Sequence, residues 1–197
     1  DSITSIADSV FRGNINITSV SFPNVTSIGA SAFQGATNLT SVSFPNVTSM
    51  RWGAFKGATN LSSVEMPKLE HAGSAVFDNT PKLPEKIVLN GVLVKWNNPS
   101  DHIADDSITS IADEVFKNNK NITSVSFSNV TSVGNSAFEG ATNLTSVSFP
   151  NVTSIERYAF KGATSLTSVE MPKLKEVGYG AFENTPKLTN KPTVKEN

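Results

Sequence analysis

The sequence predicts a β-rich solenoid: right-handed coils of 22 residues, each with short parallel strands and few or no long helices. Two periods and one local pattern predict it. Phenylalanine falls at Phe11, Phe33, Phe55 and Phe77, and again at Phe116, Phe138, Phe160 and Phe182, each time 22 residues after the last. A longer period of 105 lies over this one: Asp1 to Asp8 recurs as Asp106 to Asp113, and residues 1–83 match 106–188 at 62 of 83 positions. Within a coil, apolar residues alternate over short stretches, and none keeps a helical period long enough for a stable helix.

The coil from Leu39 to Asn60, LTSVSFPNVTSMRWGAFKGATN, shows how each element arises. The step from Val42 to Phe44 indicates a short strand with one buried face. Pro45 ends it, because proline cannot donate to a strand ladder. Val47 to Met50 forms a second extended piece, and Ala54-Phe55-Lys56-Gly57 a turn that carries a large apolar plug. One coil cannot bury these residues by itself. Stacked on a neighbour about 4.8 Å away, it places Phe on Phe and Val on Val in a continuous core.

The gap of 39 residues between Phe77 and Phe116 marks an insertion at about 84–102. Asn90-Gly91 between two β-rich runs predicts a hairpin there. The expected organisation is one solenoid over residues 1–188, made of tandem units 1–105 and 106–188, with 189–197 as a polar tail. Asp1 is equivalent to Asp106, partway through a coil, so the first coil is expected to lack its first strand and further repeats to precede it.

Composition excludes several classes. Sixteen Lys and Arg against seventeen Asp and Glu leave a net charge of −1, which gives no electrostatic reason for nucleic acid or an anionic membrane as partner. Without cysteine there is no disulfide framework and no thiol chemistry. No apolar run reaches the length of a membrane span. Catalytic signatures are missing: the two histidines, His71 and His102, lie far apart in repeat phase, and the serines follow the repeat, where a nucleophile would be singular and paired with a base. Asp101, Asp105 and Asp106 could hold a hard cation such as calcium, but adjacent acids in a surface loop are more often solvated, and a site needs six or more oxygens. The reading is a non-enzyme with no cofactor and no metal.

The run L-x-x-V-x-F-P-N-V-x-x-I-G-x-x-A-F-x-G-A, clearest from Leu39 to Ala58 and from Leu144 to Ala163, resembles the BspA-like class of leucine-rich repeats over roughly residues 1–188. Asn90 to Trp96, followed by Asp106 to Ile111, resembles the break element of such arrays. The family often has cysteine where this chain has Ala36, Ala58, Ala141 and Ala163; alanine fills the same small site. The resemblance implies a secreted or surface-attached, extracellular adhesion protein whose partner is a protein or glycan on a host or neighbouring cell. It supplies no catalytic residues. A structural spacer or surface coat without a specific ligand is the alternative. A monomer is expected, with end-to-end association through open strand edges as a further possibility.

Two faces could make the contact. Strand residues pointing outward, Ser41, Ser43, Ser146 and Ser148 with Glu65 and Glu170 near each unit's end, form a flat polar sheet face. The residues before each Ala-Phe element vary most between the units: Arg51-Trp52-Gly53 corresponds to Glu156-Arg157-Tyr158, and Gly73-Ser74-Ala75 to Gly178-Tyr179-Gly180. Arg51, Trp52, Arg157, Tyr158 and Tyr179 are residue types favoured at interfaces. Neutral drift on a tolerant turn is the competing reading. Trp96 on the hairpin is a further candidate, or else a cap on the insertion's small core. Nine N-x-S/T triplets, at Asn16, Asn24, Asn38, Asn46, Asn60, Asn121, Asn129, Asn143 and Asn151, are read first as copies of one repeat position, forming side-chain ladders or turn caps.

Overall fold

A computed structural model describes residues 3–97 and 99–192. The chain is a β-solenoid of about eight turns with no helix among the described residues. It divides into two compact units, Asp1–Lys95 and Trp96–Asn197.

Each unit carries two parallel ladders. In unit 1 the first ladder joins Ser19–Ser21, Ser41–Ser43 and Ser63–Glu65, with Val20, Val42 and Val64 in register. The second joins Ser5–Ile6, Ser27–Ile28, Ser49–Met50 and His71–Ala72. Unit 2 repeats the plan. Its first ladder joins Asp101–Ala104, Ile122–Ser126, Ser146–Ser148 and Ser168–Glu170, and its second joins Ser110–Ile111, Ser132–Val133, Ser154–Ile155 and Glu176–Val177. The first ladder of unit 1 begins at Ser19–Ser21, whereas that of unit 2 already includes Asp101–Ala104 ahead of Ser110. Phe44-Pro45 follows its strand directly, as proline requires.

The stacked phenylalanines form the core. Phe11, Phe33, Phe55 and Phe77 lie with ring centroids 5.1, 5.1 and 5.5 Å apart. Phe116, Phe138, Phe160 and Phe182 repeat the column at 5.0, 5.1 and 5.3 Å. Second columns run beside them, Phe22 on Phe44 at 6.2 Å and Phe127 on Phe149 at 5.8 Å. Ala36, Ala58, Ala141 and Ala163 are fully buried in the small site expected of them.

Polar side chains repeat the same translation. Asn38, Asn60 and Asn143 donate from Nδ2 to the carbonyls of Ile15, Thr37 and Lys120, at 2.8, 2.8 and 2.7 Å. Asn46, Asn129 and Asn151 do the same to Pro23, Asp106 and Ser128, at 2.7, 2.8 and 2.8 Å. These six triplets are therefore inter-coil ladders, in which the amide nitrogen a glycan would need already bonds the coil before. Lysine closes two of the rows: Lys68 and Lys173 donate to Oδ1 of Asn46 and Asn151.

The insertion is the expected hairpin, Lys86–Leu89 and Val92–Trp96. Asn90 and Gly91 have φ of 49° and 79°, the left-handed pair that a two-residue hairpin turn demands. Asn90 Nδ2 reaches the Leu69 carbonyl at 3.0 Å, and Lys95 Nζ reaches the Thr80 carbonyl and hydroxyl at 3.4 and 3.3 Å, so the hairpin closes the last coil of unit 1. Leu188 is buried at the end of the unit 2 pattern, and Lys191 Nζ donates to the Phe182 carbonyl at 3.1 Å. The tail from 193 on, Asp1, Ser2 and Asn98 lie outside the described residues.

Candidate binding face

The turn before each Ala-Phe element requires a left-handed residue once per coil: Ser9, Ser31, Gly53 and Ala75 in unit 1, and Glu114, Ser136, Tyr158 and Gly180 in unit 2, with φ between 52° and 64°. The sequence did not reveal this row, because six of its eight members are not glycine. A bulky L-residue there costs roughly 1–2 kcal/mol. Tyr158 accepts that cost at φ 58°. Its ring meets Tyr179 edge to face, at 5.7 Å and 81°, and Lys161 Nζ lies 4.6 Å from its centroid. Gly180 makes room: a Cβ there would stand 2.6 Å from Tyr158 Cε1. Tyr179 projects outward with 74% of its surface exposed.

Close approach of backbones sets this edge. A Cβ on Gly178 would lie 2.4 Å from the Arg157 nitrogen, and one on Gly73 2.7 Å from that of Trp52. Trp52 is 54% exposed. Beside it, Arg51 reaches back two coils to Asp8 at 3.4 Å, while Asp8 Oδ1 also accepts the Ala30 N–H at 2.7 Å. Arg157 is exposed next to Tyr158. Trp96 is placed differently. It is half-buried, stacked on Phe127 at 6.4 Å and tilted against Phe116 at 6.1 Å, and so belongs to the packing of the two phenylalanine columns of unit 2.

A row of alternating charge runs beneath the tyrosines. Lys117 pairs with Glu139 at 3.3 Å, and Lys161 with Glu183 at 3.1 Å. A hydrogen bond to Glu114, with one to Glu139, holds the Lys117 ammonium above its ordinary range against a smaller desolvation effect. Burial pushes the Glu139 carboxyl up, but hydrogen bonds from Ser136 and Lys117 and the nearby lysine charges leave it below its ordinary value. The hydrogen bond to Glu183 raises Lys161.

Unit 1 has Gln34 where unit 2 has Glu139, and there Ser31 Oγ and Gln34 Oε1 are buried without a hydrogen-bond partner. Gln34→Glu should therefore stabilise the chain by about 1 kcal/mol, since Ser31 gains a charged acceptor. The urea midpoint of the full chain should rise. A fall would show that the missing partner carries no cost.

On the sheet face, Ser43 Oγ donates to Glu65 at 2.7 Å, and Ser148 Oγ to Glu170 at 2.7 Å. Ser41 and Ser146 lie in the adjacent rows, in register with Ser63 and Ser168. The terminal carboxylates of this face are already engaged. One contact escaped the sequence: Ser124 Oγ lies 2.7 Å from His102 Nδ1. His102 is exposed and Ser124 half-buried, and a serine nucleophile needs a shielded base and a preorganised oxyanion site besides. Asp105 is spent on Ser107 and Asp106 on Ser128. No cluster of three or more acidic or histidine side chains able to hold a metal occurs among the described residues.

The profile of the BspA type leucine rich repeat region matches residues 1–98 and 95–196, with six copies. The chain belongs to this family. Among solved structures, a leucine-rich repeat protein of T. pallidum aligns at 22% identity over 94% of this chain and 83% of its own, with a TM-score of 0.45. One from Bacteroides ovatus aligns at 19%, over 94% and 69%, with a TM-score of 0.42. A leucine rich cell surface protein from Faecalibacterium prausnitzii aligns at 21%, over 98% and 65%, with a TM-score of 0.44. A comparison with curated protein sequences yields no significant match. In this BspA-type array the repeat explains the interior and the ladders, and the departures from it collect on the turn edge.

Proposed function

We propose that this BspA-type array is a non-catalytic, extracellular or cell-surface binding module that engages a protein or glycan partner through its turn edge. Family membership supports the surface placement. The observation that carries the choice of edge is Tyr158: a bulky residue held at φ 58°, in a T-shaped pair with an exposed Tyr179, in a unit that otherwise nearly copies its neighbour. Backbone strain of this kind persists where its surroundings hold it and collects at functional sites. The sheet face, with its serines and glutamates bonded to one another, has neither aromatic nor arginine anchors.

Immobilised chain probed with purified host matrix proteins and a glycan array should show a partner. Tyr158→Ala, or Trp52→Ala on the other unit, should weaken that partner's binding about tenfold or more while the melting temperature holds. If Ser43→Lys and Ser148→Lys abolish binding and the aromatic variants do not, the contact lies on the sheet face. A chain that captures nothing in either screen is a spacer.

A further inference from the structure

Resting on that reading, we infer that the Tyr158–Tyr179 corner is a carbohydrate subsite for a neutral hexopyranose. Its parts match the chemistry of a sugar ring. A pyranose presents a flat face of C–H groups on one side and vicinal hydroxyls at its rim. Tyr179 offers an exposed aromatic ring, set at 81° to Tyr158 with the centroids 5.7 Å apart. Lys161 Nζ lies 4.6 Å from the Tyr158 ring centre and 3.1 Å from the Glu183 carboxylate. That ion pair sets a donor beside an acceptor, the combination that two adjacent hydroxyls satisfy, since each hydroxyl both donates and accepts. Charge selects the class: Arg157 and Lys161 are balanced by Glu156 and Glu183, so the corner does not favour an anion. Tyr179 is 74% exposed, so its ring is not enclosed by its neighbours. A flat ligand that stacks suits it better than an apolar side chain that must be enclosed.

Unit 1 supplies an internal contrast. It keeps the ion pair, Lys56 with Asp78 at 3.5 Å, but has Gly53 and Ser74 where the tyrosines stand. It also has Ala75 in place of Gly180, the glycine whose missing Cβ admits the Tyr158 ring. Three positions have thus changed together around one side-chain arrangement. Drift at a tolerant turn would not link them.

The full chain titrated with neutral tetrasaccharides of glucose, mannose and galactose, followed by saturation-transfer NMR and tyrosine fluorescence, should show one saturable site for at least one of them, with Kd of order 0.1–1 mM. Tyr179→Ala should weaken it at least about tenfold, and Tyr179→Phe, which keeps the ring, by no more than about twofold. Glu183→Gln and Lys161→Met should each weaken it with no change in melting temperature. The combined graft Gly53→Tyr, Ser74→Tyr and Ala75→Gly should add a second site. The inference falls if no neutral sugar binds at about 10 mM, if Tyr179→Ala binds as well as the parent, if a folded graft gains nothing, or if an acidic polysaccharide competes out the neutral ones. A purified protein ligand whose capture needs Tyr179, with no sugar bound, would overturn the sugar and leave the binding module standing. Loss of both would overturn the two readings together.

Discussion

Phe160→Ala should cost the chain about 3–5 kcal/mol, the largest loss expected of a single core truncation here. The ring is fully buried, and it is held on both faces, by Phe138 at 5.1 Å and 4° and by Phe182 at 5.3 Å and 3°. Removing it deletes two stacked contacts, each contributing about 0.5–1.5 kcal/mol beyond area burial, and opens a cavity between coils that are fixed by their own ladders. The coils on either side cannot collapse into the gap, because Phe138 N–H bonds the Ala159 carbonyl at 2.7 Å and Phe160 N–H bonds the Ala181 carbonyl at 2.8 Å. Phe55→Ala should behave alike, between Phe33 at 5.1 Å and Phe77 at 5.5 Å. Phe182→Ala, which ends its column with one stacked neighbour and is 6% exposed, should cost distinctly less. Denaturant unfolding of the three variants gives the order. Equal losses at Phe160 and Phe182 would mean that stacking within the column contributes little. Because nearest-neighbour coils carry most of the coupling in a solenoid, hydrogen exchange should accelerate first in the coils flanking the substitution.

The core was legible because it obeys translation. A column of identical residues 22 apart needs no knowledge of the third dimension to be read, and so Phe33 upon Phe55 and the valine register followed from spacing, while the Asn90-Gly91 turn followed from its dipeptide and the buried alanines from the family resemblance. The candidate edge was half legible. Trp52, Tyr158 and Tyr179 were visible as departures from the repeat, but what holds them was not. The left-handed row at Ser31, Gly53, Ser136 and Tyr158 mixes residue types, because a coil pinned by hydrogen bonds above and below forces whatever side chain it carries into that conformation. The neighbouring row did leave a trace: Gly13, Gly35 and Gly57 give way to Asn79, Asn118 and Asn184 in one register, and glycine exchanging with asparagine is the mark of positive φ. Trp96 shows the opposite limit. Its sequence neighbourhood placed it on the hairpin, as a binding candidate or a cap on the insertion's small core, whereas its ring opens the phenylalanine columns of unit 2, a contact across 20 and 31 residues that no period announces.

Gly134→Val should destabilise unit 2 by about 3 kcal/mol, at the upper end of what overpacking costs. A Cβ at Gly134 would lie 2.7 Å from Asp113 Oδ1, 2.8 Å from the Ala112 carbonyl carbon and 2.8 Å from the Asp113 nitrogen. Two of those three atoms are backbone of the preceding coil, so a rotamer change cannot relieve the contact. The coils would have to separate where the Gly134 N–H bonds the Ile111 carbonyl at 2.8 Å. The Asp113 carboxylate makes the strain worse, because Oδ1 also accepts the Asn135 N–H at 2.8 Å and would have to give up that bond to move. Gly134→Ala tests the same contact with one carbon and should cost less than valine, but more than the loss of glycine's freedom alone would predict, since alanine in an open turn of ordinary φ stabilises by about 0.4–1 kcal/mol. The sign is therefore the discriminating result. A stabilised Gly134→Ala in thermal and urea unfolding would mean that the coils slide apart freely at this edge. A destabilised one would mean that backbone contact between coils fixes the platform from which, two coils further on, Tyr179 projects.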